Sequence, residues 1–402
     1  MITENVQEVI SAINKQGGRA LLVGGAVRDH LLGDTEPKDF DIEVYGMTVN
    51  TLTSILRSLG RVSAVGKSFG VLKLYLEDGT DLDVSLPRRE NKTGRGHKGF
   101  IIEADSTMTP QEAAARRDFT VNALAFDAES GTIKDYFEGL EDMDKGILRH
   151  TSEAFSEDPL RVLRGMQFAA RFNWQVHPET AQLCNGLLSE FNSLPKERVW
   201  SEWQKLTTKA IKPSAGLDFL RQVGWTSCFP GIESASGEDA DRAMQIAARD
   251  NLNDTDKSVL VLAAICRKVE NANELLLSLG TFPSIHTRVM ALMEDGTQAI
   301  TLPEVRKLAV EIQPENIRML SRVLEAENKN IEAKRLLTIS AIENFSDKAP
   351  EAIVLGRHLI AEAIATPGPE MGRLLNRAFK AQLDGLFFNV EDGVQWCQTH
   401  NQ

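Results

Sequence analysis

Two alternating carboxylates, Asp39 and Asp41 of Lys38-Asp-Phe-Asp-Ile-Glu-Val44, begin fifteen residues beyond Gly24 of the stretch Leu22-Val-Gly-Gly-Ala-Val-Arg-Asp29. Ala20–Val23 reads as a short apolar strand, Gly24 and Gly25 permit close backbone approach, and Ala26–Leu32 reads as a helix whose free N–H groups favour a phosphate. Arg28, inside that helix, is expected to grip a triphosphate oxygen. In an extended strand, side chains two apart share a face, so Asp39 and Asp41 stand together while Phe40 and Ile42 pack behind. Two parallel carboxylates repel each other unless cations lie between them. Hard oxygen ligands beside a phosphate-binding turn suit Mg²⁺, and a pair of such ions can activate an attacking hydroxyl and neutralise a leaving pyrophosphate. Each piece alone has an ordinary explanation, a turn or a solvated strand edge. Their order and spacing together point to polymerase-type chemistry.

The rest of the chain sets the frame for this site. Residues 1–150 mix short β-rich runs (Val71–Leu76, Asp81–Leu86, Ala123–Phe126) with helices, as an α/β head does. Beyond residue 150, Ala-, Leu- and Glu-rich segments punctuated by Pro or Gly predict short helices in succession, so the fold class is α+β with an all-α remainder. At 402 residues the chain is long enough for more than one domain. No apolar run approaches membrane-spanning length and the N-terminus lacks the features of a secretory signal, so the cytoplasm is the expected location and no membrane partner is expected. The four cysteines lie far apart without C-x-x-C spacing, which predicts buried thiols rather than a zinc site or disulfide framework. A formal net charge of −12 argues against indiscriminate nucleic-acid binding; a polyanionic partner needs a locally basic surface. Arg88–Gly99, polar, basic and glycine-bearing, reads as a mobile loop beside the site.

Two further constellations carry chemistry. In Arg116-Arg117-Asp118-Phe-Thr-Val-Asn122, adjacent arginines just before an apolar strand can hold a triphosphate or a primer backbone, with Asp118 positioning one of them. In Ser156-Glu-Asp158-Pro-Leu-Arg161, Pro159 suits a first helical turn, so Asp158 and Arg161 share a face. Cytosine and adenine each offer an amino donor beside a ring-nitrogen acceptor, whereas uracil and guanine reverse the pattern. A carboxylate and a guanidinium so placed select CTP and ATP and leave buried groups unpaired against the wrong bases. The ordinary alternative is a helix cap by Asp158 with Arg161 paired at the surface.

These motifs, followed by Glu197-Arg-Val-Trp-Ser-Glu202-Trp-Gln-Lys205, occur in the order found in the bacterial class II tRNA nucleotidyltransferases, and the chain resembles a CCA-adding enzyme, in the same family as poly(A) polymerases. Asp135-Tyr-Phe-Glu-Gly139-Leu-Glu-Asp142 with Arg149 resembles the family's hinge-like element. Val354-Leu-Gly-Arg-His-Leu359, Pro367-Gly-Pro-Glu-Met-Gly372 and Gln382-Leu-Asp-Gly385 resemble its tail. The resemblance implies a catalytic head (1–150), a nucleotide-selecting neck (151–232), a helical body (233–345) and a tRNA-binding tail (346–402). It implies that Asp39 and Asp41 hold two Mg²⁺ ions, with Asp83 as a further catalytic carboxylate. Gly24, Gly25 and Arg28 would hold the triphosphate and Asp158 and Arg161 would select the base. Arg116, Arg117, Asp118, Asn122 and Arg164 would complete the nucleotide pocket. The helix Glu197–Lys205 would brace the adjoining turn. The implied partners are tRNA, CTP and ATP; no protein partner is inferred. For Asp83, alternation with Asp81 on an exposed strand face explains the residue nearly as well.

Departures from the family pattern are few. Gln167 stands where relatives commonly have Arg, and Tyr136 and Glu138 replace smaller or stiffer hinge residues. Val259–Lys268 resembles the central helix of a His-Asp phosphohydrolase module, but Cys266-Arg267 stands at the metal-ligand position, so a second hydrolytic activity is not expected. A poly(A) polymerase and a noncatalytic RNA-binding homologue are the alternatives to a CCA-adding enzyme.

Overall fold

Leu72, Leu74, Leu82, Val84, Ile42 and Val44 are each at most 5% exposed and alternate with polar or half-buried neighbours, the period that closes one face of a sheet on a core. The computed structural model describes residues 2–34, 40–64, 71–92, 100–293, 300–345 and 348–401, with the backbone alone at 64, 89–92 and 100–104. It divides into two compact units, Met1–Cys228 and Phe229–Gln402, so the expected head and neck fall within one unit almost entirely.

In the first unit, helix α1 (Glu4–Lys15) leads into β1 (Arg19–Val23), α2 (Gly25–Leu31), β2 (Phe40–Tyr45), α3 (Val49–Leu59), β3 (Arg61–Ala64), β4 (Val71–Tyr75) and β5 (Asp81–Ser85). The hairpin β6 (Arg88–Lys92) and β7 (Phe100–Ala104) precedes α4 (Pro110–Ala115), β8 (Ala125–Asp127), β9 (Thr132–Lys134) and α5 (Gly139–Lys145). Seven strands form one mixed sheet in the order β3-β4-β5-β2-β1-β8-β9, with β2 antiparallel to β1 and parallel to β5. The register decides what the sheet can do. Asp41 lies opposite Val23, the last residue before the glycine turn, and opposite Asp83 on its other side. One row across the strands therefore brings the turn and two of the predicted carboxylates together.

The expected loop Arg88–Gly99 is corrected in its first part. Arg88–Lys92 is a strand, because Phe100–Ala104 supplies the backbone partners that the polar text RRENK does not advertise; residues 93–99 lie outside the described residues. Arg116 and Arg117 follow α4, and Asp118 is succeeded by a 3₁₀ turn, Thr120–Asn122, rather than directly by a strand.

The neck is built on α6 (Leu160–Phe172), with α7 (Pro178–Gly186), α8 (Lys196–Lys209) and α9 (Pro213–Gln222). Its one exception to the all-helical expectation is a two-residue parallel pair, β10 (Ile147–Leu148) with β11 (Gln175–Val176). Helices α6 and α9 meet at glycines: a Cβ on Gly165 would lie 2.5 Å from Phe219 and 3.0 Å from Phe119, and one on Gly216 would lie 2.9 Å from the Met166 carbonyl. Phe119, following the paired arginines, packs edge-on against Phe155 and Phe168, which ties that segment to the neck. The hinge-like element is stitched in as well. Asp135 accepts from the amides of Phe137, Gly139 and Leu140, while buried Asp142 accepts from the Thr120 hydroxyl at 2.7 Å and pairs with Arg149. Glu138 takes a left-handed backbone (φ 60), and a Cβ on Gly139 would strike the Thr120 carbonyl at 2.3 Å.

The second unit is helical: α10 (Gly237–Arg249), α11 (Asp254–Cys266), α12 (Ala272–Leu279), α13 (Pro283–Ala291), α14 (Leu302–Glu311), α15 (Pro314–Ala326), α16 (Asn330–Ile342), α17 (Gly356–Ala361), α18 (Pro369–Leu383) and α19 (Val390–Thr399). Residues 258–266 of α11 are all buried. Arg267, at the position where a metal-ligand pair is absent, instead forms a buried ion pair with Glu327 at 2.6 Å and donates to the Leu292 carbonyl. Among the described residues no three His, Cys, Asp or Glu side chains gather as an ion site. His286 contacts Asn273 at the surface. The cysteines are thiols; burial pushes Cys184 and Cys266 up to about 12. Among the described residues no helix is long and apolar enough to cross a membrane.

Substituting Gly165→Ala is expected to cost about 1–3 kcal/mol of stability, because two aromatic rings would have to move. A urea-denaturation midpoint equal to wild type would contradict the close α6–α9 contact.

Candidate active site

The glycine turn shapes the entrance. Gly24 is buried with φ 79, a left-handed value, and a Cβ there would lie 3.2 Å from both Asp41 Oδ2 and Arg117 Nη1. Any larger residue would press on a predicted carboxylate and a predicted phosphate ligand at once.

A pocket of about 390 Å³ opens beside this turn, lined by Asp41, Glu43, Asp83, Ser85, Arg88, Arg116, Arg117 and Arg161 among others. The Asp41 side chain is exposed there, next to Asp83 in the neighbouring strand. Asp83 also lies 3.7 Å from Lys73 Nζ, which bonds Asp81 at 2.6 Å. Asp83 thus belongs to a polar strand face and also lines the pocket. Asp39 lies outside the described residues.

A second pocket of about 380 Å³ is lined by Arg117, Asp118, Asp158, Leu160, Arg161, Arg164, Arg198, Ser201 and Glu202. Arg117 and Arg161 line both. Asp158 serves as cap and as pocket wall: Oδ1 accepts from the Leu160 amide at 3.0 Å and Oδ2 from Arg198 at 2.9 Å. The Arg161 guanidinium donates to the carbonyls of Ala154 and Arg116 at 2.7 and 2.8 Å, which fixes it across the pocket boundary. Arg116 pairs with Glu157 at 2.7 Å. Helix α8 contributes Arg198, Ser201 and Glu202 to this lining.

Four predicted residues form one connected network. Asp118, 6% exposed, accepts from its neighbour's amide at Phe119 (2.9 Å), from Asn122 Nδ2 (2.9 Å) and from Arg164 Nε (2.6 Å). Asn122 in turn accepts from Arg28. Burial on its own would push the Asp118 carboxyl up, but Arg164, Asn122 and the Phe119 N–H outweigh it and hold it below the ordinary carboxylate range. Asp118 likewise holds the Arg164 guanidinium above its ordinary value.

Arg28 departs from expectation. It is 3% exposed, donates to Asp29 and Asn122, and lies 5.0 Å from the ring centroids of Phe168 and Phe172. Burial lowers its pKa first, against the opposing pull of Asp29. It lines neither pocket, so it anchors the helix behind the glycine turn instead of presenting an open guanidinium. The cause is the pair of phenylalanines one turn apart on α6, a tertiary contact that residue spacing in the head does not reveal. The reverse omission is Glu43, which alternates with Asp41 on β2 and lines its pocket. The signal was present in the text DFDIE, as the next residue of the same period.

The Asp118 interaction has a pH signature. Its folded pKa lies below the ordinary 3.8, so its stabilisation is complete above that value and is lost as pH falls through the lower folded value. Asp118→Asn should cost about 1–2 kcal/mol at pH 7, with the gap to wild type closing below about pH 4. Denaturant titrations across pH that give a constant gap would contradict this.

Comparison with known proteins agrees with the geometry. Residues 20–149 match the family described as Poly A polymerase head domain. The chain is 42% identical over 220 residues to a Multifunctional CCA protein of Nitrosococcus oceani, covering 54% of this chain and 51% of that one. It is 44% identical over 222 residues to a protein of the same name from Aliivibrio salmonicida, covering 54% and 52%. The chain thus spans about half the length of these curated relatives. Among solved structures, the Bacillus stearothermophilus CCA-adding enzyme in complex with CTP aligns over 100% of this chain and 98% of its own, with TM-score 0.71 and 22% identity. The Thermotoga maritima CCA-adding enzyme complexed with tRNA aligns over 100% and 97%, with TM-score 0.59 and 19% identity. The family match is thus confined to residues 20–149, while over its whole length the chain shares the fold of the solved CCA-adding enzymes.

Proposed function

We propose that the protein is a tRNA nucleotidyltransferase of the CCA-adding type, a template-independent enzyme that adds C, A or both from CTP and ATP to the tRNA 3′ end and releases pyrophosphate. The observation that carries this reading is the junction of two pockets by Arg117 and Arg161, one pocket holding Asp41 and Asp83, the other holding Asp158. One nucleotide can lie across both, triphosphate at the carboxylates and base at the neck. The names of the relatives, and the CTP and tRNA in the solved neighbours, support the same substrates. The tail 346–402 is read as the tRNA-binding end, and the cytoplasm as the working location.

The oxygen donors fit divalent cations. Asp41 is an exposed carboxylate facing a pocket that also holds Asp83, and sequence alternation assigns Asp39 to the face of Asp41. Asp39 and Asp41 would hold two ions, Mg²⁺ by donor hardness, which when bound lower the pKa of the primer hydroxyl and neutralise pyrophosphate. The chain's own groups do the remainder. Arg116 and Arg117 meet the triphosphate charge with forked donors, and Gly24 keeps the backbone low enough for its approach. Asp158 accepts from the amino group shared by cytosine and adenine, while Arg161, fixed by two carbonyls, donates to the ring nitrogen.

The head-domain match also favours a second reading, poly(A) polymerase. Extension of tRNA primers ending before the first C, after the second C and after the final A, followed by product sequencing, separates the two. The CCA reading predicts defined C or A additions that stop at the mature end; a lengthening A tail would overturn it. Asp41→Asn and Asp39→Asn should lower incorporation by at least about 100-fold while tRNA binding persists. Asp158→Ala should reduce the preference for CTP over UTP by about tenfold. Normal turnover in either acidic variant would remove the metal assignment.

A further inference from the structure

Glu43 continues the series Asp39, Asp41, Glu43, yet the mechanism above gives it no part. Its side chain is 13% exposed and faces the pocket of Asp41 and Asp83. Tyr45, two residues further along β2 and therefore on the same face, is 6% exposed and donates its hydroxyl to Glu43 Oε2 at 2.6 Å. That oxygen lies 3.7 Å from Arg117 Nη2. The other terminal nitrogen of Arg117 faces the glycine turn, 3.2 Å from where a Gly24 Cβ would sit.

Arg117 needs something to hold it. Arg88, Arg116 and Arg161 line the same pocket, and like charges push a long flexible side chain away. A short hydrogen bond from a buried hydroxyl to a carboxylate is among the stronger contacts available, so Tyr45 fixes the Glu43 side chain. Fixed there, Glu43 is an anion aimed at one end of the Arg117 guanidinium. At 3.7 Å the contact is longer than a direct hydrogen bond, so it attracts the guanidinium without using up its donors.

We propose that Tyr45 and Glu43 form a positioning relay that holds the Arg117 guanidinium at the junction of the two pockets, ready for the triphosphate of an incoming nucleotide. This rests on the nucleotide reading of the site and names a determinant of its affinity. Both are positioning residues, because they act through Arg117. The relay bears on binding of the part common to CTP and ATP, and leaves base choice to Asp158 and Arg161.

Glu43→Gln keeps the shape and an acceptor for Tyr45 but removes the charge that attracts Arg117; Tyr45→Phe keeps the charge and removes the tether. Binding of CTP and of ATP, measured by calorimetry with Mg²⁺ and without RNA, is combined with steady-state incorporation into tRNA. Glu43→Gln is expected to weaken both nucleotides alike and raise both KM values about fivefold, with kcat changed less than about twofold, the CTP to UTP ratio unchanged and a native thermal midpoint. Tyr45→Phe should move the same parameter by less, and the double variant should be no worse than Glu43→Gln alone, as a shared pathway requires. Nucleotide affinity in Glu43→Gln that is unchanged or tighter would overturn the proposal, since Glu43 would then only compete with phosphate for Arg117. A raised Mg²⁺ requirement at unchanged nucleotide affinity would overturn it too, making Glu43 a metal ligand. Additive losses in kcat and thermal midpoint would reduce the pair to general packing. A wild-type protein that binds CTP and ATP but fails to extend tRNA would sink the proposed function, while the affinities would still decide the relay.

Discussion

The buried carboxylate of Asp118 is the interaction on which the site's arrangement depends. Removing a carboxylate from water is costly, and this one is compensated by a backbone amide, a side-chain amide and a guanidinium. Those donors come from two parts of the site. Arg164 belongs to the neck helix that carries Arg161, and Asn122 belongs to the turn that contacts Arg28 behind the glycines. Asp118 therefore couples the glycine turn to the neck helix. Phe119 reinforces the junction with two edge-on aromatic contacts.

Sheet register supplies the second constraint. Val23, Asp41 and Asp83 share one row, so the turn and the carboxylates cannot drift apart without breaking strand pairing. Around them, Arg88, Arg116, Arg117 and Arg161 stand against Asp41, Glu43 and Asp83 in one pocket. That balance is close to neutral, which suits a triphosphate arriving with its cation better than a bare polyanion. On the proposed function, a chain with a net charge of −12 in this way keeps a local site for an anionic substrate.

Much of this was legible in the chain. The alternation of DFD and of Asp81-Leu-Asp-Val84 located β2 and β5, because half-buried strands must alternate, and the double glycine located the turn. The register that sets Asp41 beside Asp83 was not legible, since pairing is decided by which strands meet in space. Arg28 shows the same limit: its charge is plain in the text, but its burial depends on Phe168 and Phe172, about 140 positions away. The strand Arg88–Lys92 escaped notice because edge hairpins owe their structure to backbone pairing more than to apolar pattern. Arg267, expected only as a lost ligand, turns out to hold a buried pair with Glu327.

On the proposed function, one nucleotide spans the two pockets joined at Arg117 and Arg161. A crystal structure of the protein with CTP and Mg²⁺ tests it most directly. Phosphates beside Asp41 and Arg117 with the cytosine against Asp158 and Arg161 are the expected result; a nucleotide bound elsewhere, or with its base at the carboxylates, would rule out that placement.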